Sequence, residues 1–206
     1  MNENDVTRRD FVKTATVAAA GATALSGLPA WAVQENREPI KIGFIGCGGR
    51  GTGAANQALN ASENSIIWAI GDAFEDRLTS SMNTLVGEKG DRAEVPKERQ
   101  FVGFDAYQKV IDSGVDVVIL TTPPHFRPQH IAAAVKAKKH VFCEKPMAVD
   151  GSGLRSVMES AKLAKENGTN LMSGFCWRYN YPLRGVYEQI HNGAIGDVRS
   201  VFATYY

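Results

Sequence analysis

Six consecutive residues, Gly46-Cys47-Gly48-Gly49-Arg50-Gly51, fit the spacing G-x-G-x-x-G. They follow the apolar run Lys41-Ile42-Gly43-Phe44-Ile45 and precede a helical stretch that reaches about Asn60. In this strand–loop–helix setting the spacing cradles a pyrophosphate. Gly46 permits the tight turn, Gly48 lets the main chain approach the phosphates, and Gly51 lets helix and strand pack closely. Gly49 and Arg50 lie at the start of the helix, where free N–H groups and the positive dipole end favour an anion.

Asp72 lies 26 positions after Gly46, a little beyond the usual spacing of about 20. A carboxylate there accepts hydrogen bonds from adenosine ribose hydroxyls and repels a 2′-phosphate, which favours NAD over NADP. The same residue is also a good N-cap for a helix over Ala73–Val86, and Arg77 leaves NADP open. Further along stands Thr121-Thr122-Pro123-Pro124-His125-Phe126-Arg127-Pro128. Its prolines force the chain out of a central strand. A loop at the carboxyl end of such a strand lines the ligand crevice, so Thr122, Pro123 and His125 are candidate contacts, although His125 fits an ordinary surface imidazole equally well. Cys143-Glu144-Lys145-Pro146 ends another apolar run. A lysine there can hydrogen-bond cofactor or substrate hydroxyls, and partial desolvation would lower its pKa toward acid/base use. Glu144 is its natural charge partner. An exposed, unengaged lysine is the plainer alternative.

These residues need a scaffold that gathers strand ends. Short apolar runs at Ile40–Ile45, Ser65–Ile70, Gln100–Phe104, Val115–Thr121, His140–Cys143 and Asn170–Phe175 alternate with helical patterns, which predicts an α/β chain with a Rossmann-type doubly wound parallel sheet. Helices are expected over Pro128–Lys138, from an Asp150 cap to Gly168, and from an Asp105 cap through Ser113. Gly87–Arg99 reads as a charged exposed loop. After a helix over Pro182–His191, Val198–Tyr206 reads as one β-strand. A single strand is unstable without neighbours, so residues 177–206 read as the truncated start of a second α+β domain, and residues 39–176 as the nucleotide-binding domain.

The chain has 206 residues, 23 Lys+Arg against 22 Asp+Glu, and 44% apolar residues. A net charge of +1 offers no broad basic field for nucleic acid. Three cysteines without a C-x-x-C pair support neither a disulfide framework nor a metal site. Arg8-Arg9, a short Ala/Thr/Gly-rich run and Ala30-Trp31-Ala32 have the parts of a twin-arginine export signal over residues 1–32. This implies a periplasmic protein, and the run is too short and weakly apolar for a stable membrane anchor.

Taken in order, the glycine motif, Asp72, Thr-Pro-x-His, Glu-Lys-Pro and Gly174-Phe175-Cys176-Trp177-Arg178 resemble the glucose–fructose oxidoreductase / inositol 2-dehydrogenase (Gfo/Idh/MocA) family from about Pro39 to Tyr206. The resemblance implies that Lys145 contacts the nicotinamide ribose and substrate and assists catalysis, with Glu144 beside it. Pro123 and His125 would border the cofactor, and Arg178 would lie near its nicotinamide end. Where many members have a second histidine, this chain has Arg127. The family's usual catalytic histidine would fall beyond Tyr206, and His130, His140 and His191 are poorly placed substitutes. The implied function is hydride transfer between NAD, or NADP, and a small-molecule sugar, cyclitol or polyol. An NAD-dependent glycosidase of the same superfamily and an inactive truncated cofactor-binding domain are the alternatives. A homo-oligomer is implied only where a full second domain is present.

Overall fold

A computed structural model describes residues 38–204. The leader predicted over residues 1–32 lies outside them. Six strands form one all-parallel sheet: β1 (Ile40–Ile45), β2 (Ser65–Asp72), β3 (Gln100–Val102), β4 (Val117–Leu120), β5 (His140–Cys143) and β6 (Leu171–Ser173). Their spatial order is β3-β2-β1-β4-β5-β6, the doubly wound arrangement whose direction reverses between β1 and β4. Between the strands run α1 (Gly49–Ala61), α2 (Glu75–Lys89), α3 (Ala106–Asp112), α4 (Arg127–Lys136) and α5 (Gly151–Asn167), and α6 (Tyr181–His191) follows the sheet.

Alternation along the strands divides the core. Phe44 and Ile119 pack on one face against Ala55 and Leu59 of α1 and Leu78 and Leu85 of α2. Ile45, Val118 and Leu120 face the other way, against Val110 of α3, Ile131 and Val135 of α4 and Val157 of α5. With both faces covered, the central strands read as nearly continuous apolar runs. α5 has both of its expected ends. The Asp150 carboxylate accepts from the Gly153 N–H at 2.6 Å, and Gly168 closes the helix at φ 71°, a left-handed conformation that suits glycine.

Several elements differ from expectation. β2 runs to Asp72, so this acid is the last strand residue, and α2 starts at Glu75. Asp105 is the N-cap residue of α3, as expected, but its side chain makes no capping hydrogen bond. Its carboxylate instead pairs with Lys109 at 2.8 Å, and that hydrogen bond holds its pKa below the usual carboxylate range. The segment 87–99 is largely exposed, as expected, but it is not a plain loop. It completes α2 and forms two 3₁₀ turns, with Ala93 and Val95 buried. Arg92 there donates to the carbonyls of Leu59, Ser62 and Ser65. Residues 198–204 form no ladder, because no neighbouring strand lies beside them among the described residues. No described helix is long and apolar enough to cross a membrane.

Candidate functional site

β1 and β4 stay paired to their carboxyl ends at Ile45 and Leu120, and the glycine loop starts directly beside the end of β4, where Thr121 Oγ1 donates to Gly46 O at 2.6 Å. Gly46 sits at φ +97°, and a Cβ there would lie 2.7 Å from the Thr122 amide nitrogen. A Cβ on Gly51 would lie only 1.8 Å from the Gly46 carbonyl oxygen, so α1 can start this close only on glycine. By contrast, a Cβ on Gly48 or Gly49 would meet nothing within 4 Å. The start of α1 therefore presents bare backbone to open space, with no side chain capping it. Unmet N–H groups at a helix start suit a phosphate.

Asp72 closes one side of this loop. One carboxylate oxygen accepts from the Cys47 N–H at 2.6 Å and the other from the Phe74 N–H at 2.9 Å. Each oxygen keeps lone-pair capacity, so ribose hydroxyls can still donate to it. Asp72 faces a cavity of about 420 Å³. Phe74, Phe104, Tyr107 and Phe126 supply its apolar wall, and Gly46, Gly48, Thr122 and Pro123 line the side toward the loop. An apolar cavity beside a carboxylate and bare amides suits an adenosine with its pyrophosphate. Arg77 also reaches this cavity and borders a second, polar one of about 390 Å³ between α1 and α2.

The histidine at this cavity is His130, not His125. His125 is exposed, meets Phe126 edge-on at 5.4 Å, and does not line the cavity. His130 is 5% exposed, stacks on Tyr107 at 4.2 Å and shares a 3.3 Å hydrogen bond with Thr122 Oγ1. Burial pushes its pKa down to about 4, so the ring is neutral at pH 7. Arg127 is likewise buried, at 6% exposure, and burial lowers its pKa. Its guanidinium donates to the carbonyls of Thr122, Glu144 and Pro146 at 2.5–2.7 Å, tying the loop after β4 to the loop after β5. From sequence, Arg127 is only a departure from the family's second histidine, and His130 only a poorly placed substitute for its catalytic one. Their spacing of three positions at the start of a helix puts both on one face, but nothing local marks that face as buried.

Beyond β5, Glu144 is 8% exposed, but Lys145 is not its partner. Arg50 Nε donates to Glu144 Oε1 at 2.8 Å, reaching across from α1. Lys145 is exposed and takes part in no ion pair or hydrogen bond among the described residues. Its peptide bond to Pro146 is cis. Lys145 lines a cavity of about 300 Å³ with Gly174, Phe175, Cys176 and Trp177. Arg178 lies on the neighbouring 3₁₀ turn, Cys176–Tyr179, yet it is exposed and outside this lining. Buried Cys47 and Cys143 are not nucleophiles. Burial, with the Asp72 charge, drives the Cys47 thiol far above its ordinary value, and burial pushes Cys143 up to about 12.

Residues 40–175 match a family described as an oxidoreductase family with an NAD-binding Rossmann fold. The chain is 31% identical over 157 residues to a myo-inositol 2-dehydrogenase of Thermotoga maritima, covering 76% of this chain and 42% of that protein. It is 29% identical over 170 residues to a dTDP-3,4-didehydro-2,6-dideoxy-α-D-glucose 3-reductase of Actinomadura kijaniata, covering 82% and 46%. Among solved structures, a 3-ketoreductase from Actinomadura kijaniata in complex with NADP superimposes with a TM-score of 0.60 at 27% identity, over 78% of this chain and 46% of that one. The chain thus spans less than half the length of these relatives.

Proposed function

The chain belongs to this oxidoreductase family with an NAD-binding Rossmann fold, and from that premise we propose that it binds NAD for hydride transfer to or from a sugar, cyclitol or polyol. The observation that carries the proposal is the pairing of bare, open backbone at Gly48 and Gly49 with the Asp72 carboxylate on one cavity. Gly46 through Gly51 would hold the pyrophosphate, Asp72 the adenosine ribose, and Thr122 and Pro123 the side of the crevice nearest β4. When bound, the nicotinamide accepts or donates the hydride. Lys145 would contact the nicotinamide ribose and hydrogen-bond the reacting oxygen of the substrate from the cavity it shares with Trp177.

The Asp72 carboxylate favours NAD, and calorimetric titration with NAD and NADP tests this reading. NAD is expected to bind more tightly. Equal affinity for both cofactors would refute the ribose assignment, and absence of binding by either would refute the whole reading. Substrate class is tested by reduction of NAD with a panel of cyclitols and polyols.

Two further assignments are part of the proposal. Residues 177–206 would begin a substrate-side domain, which in its full form would mediate a homo-oligomer. Residues 1–32 would direct export through the twin-arginine route to the periplasm. Replacing Arg8 and Arg9 with lysine should retain a fused reporter in the cytoplasm. Unchanged export would remove the localisation reading.

A further inference from the structure

Lys145 stands next in sequence to a carboxylate it does not pair with, and that carboxylate has a cation from another element. Glu144 is nearly buried, with its side chain 10% exposed against 50% for Arg50. Its main chain is fixed on both sides: the N–H donates to Leu120 O at 2.9 Å and the carbonyl accepts from Arg127 at 2.7 Å. Gly174 confines the carboxyl group, since a Cβ there would lie 3.1 Å from Glu144 Cδ and Oε1. Arg127 adds a positive field, but its Nε and Nη1 are engaged with carbonyls. Arg50 is therefore the side chain that hydrogen-bonds this carboxylate, and Gln57 Oε1, accepting from Arg50 Nη2 at 3.1 Å, steadies it from α1.

A nearly buried carboxylate is costly without a cation. Without Arg50, the cations left to answer it are Arg127, already held by three carbonyls, and the sequence-adjacent ammonium of Lys145, which pairing would draw away from the cavity it shares with Trp177. We propose that Arg50 is a positioning residue for Lys145: by holding Glu144 across the glycine loop, it keeps the ammonium unpaired and directed to the nicotinamide end. The inference rests on the cofactor site proposed above. It gives the fifth position of the glycine motif a task separate from phosphate binding, and links the seating of the loop to the readiness of the lysine.

The test measures how fast Lys145 reacts with an acylating amine reagent, by peptide mapping of the full chain at pH 8 without cofactor. Arg50→Ala should slow Lys145 labelling about threefold, the effect of one newly formed, partly exposed ion pair. Arg50→Ala combined with Glu144→Gln should restore the original rate, as should Arg50→Lys alone. Glu144→Gln in the otherwise native chain should leave the rate unchanged, because Glu144 is already taken. Unchanged labelling in Arg50→Ala would overturn the proposal, and so would faster labelling in Glu144→Gln, which remains readable if Arg50→Ala does not fold. In parallel, Arg50→Ala should weaken NADH binding more than ADP-ribose binding. Equal weakening of both ligands would assign Arg50 to the phosphates and overturn the positioning role. Failure of the native chain to bind NADH would count against the cofactor site alone, since the labelling rates do not depend on it.

Discussion

A methyl group at position 51 would lie 1.8 Å from the Gly46 carbonyl oxygen and 2.6 Å from Thr121 Oγ1, distances at which the backbone must move. Gly51→Ala should therefore cost about 3 kcal/mol or more and weaken nucleotide binding, read as a lower denaturant midpoint together with calorimetry. Gly49→Ala is the control: its Cβ meets open space, so stability should hold while binding falls, because the methyl occupies the room left for phosphates. Asp72 calls for a gentler substitution than truncation. Its two oxygens receive the Cys47 and Phe74 amides, so Asp72→Ala would loosen the glycine loop and the start of α2 as well as the proposed ribose contact. Asp72→Asn keeps one acceptor and removes the charge. It should lower NAD affinity about tenfold and narrow the preference over NADP, since loss of a charge-assisted hydrogen bond is worth about 1.5 kcal/mol or more.

Between elements, the decisive brace is Arg127. It serves three carbonyls on two loops, and no other residue type offers a fork of that reach. Arg127→Met should destabilise by about 3 kcal/mol, because the buried Glu144 carbonyl and two part-buried ones lose their donor. It should also raise hydrogen exchange in the loops after β4 and β5, whereas an effect confined to one loop would contradict the bracing role. Asp150→Ala, which removes only the α5 cap, should cost about 1 kcal/mol. The contrast explains what was legible in the sequence. The β1–glycine loop–α1 unit, the Asp150 cap and the Gly168 stop are local patterns, and each stands where its own residues put it. Arg127 could not be read in this way, because its partners lie up to 19 positions away and a charged residue ordinarily reads as exposed. The same holds for Arg50, whose partner Glu144 is 94 positions distant; adjacency suggested Lys145, and tertiary geometry chose otherwise. Residues 198–204 have the composition of a strand, but a strand also requires a neighbour, which composition does not supply.

At the scale of the whole molecule, the wall of aromatic rings around His130 makes the fold's stability depend on pH. The ring is held neutral by burial, with a folded pKa of about 4 against about 6.5 in an unfolded chain. Between these values the unfolded state binds the extra proton, so acidification favours unfolding. The stabilisation is fully present above pH 6.5 and is lost progressively as the pH falls through about 4. Its size is about 3 kcal/mol at most. His130→Phe keeps the stack with Tyr107 and removes the titration. Chemical denaturation at pH 7 and pH 5 should then show a smaller loss of stability on acidification for the variant than for the native chain, by about 2 kcal/mol. Identical losses would place His130 in a hydrated setting and open to water the cavity proposed for adenosine, contrary to its apolar lining. Because the folded ring stays neutral down to about pH 4, acidification from pH 7 to pH 5 acts on unfolding and not on the folded site, so calorimetric NAD affinity should change alike in the native chain and in His130→Phe over that range.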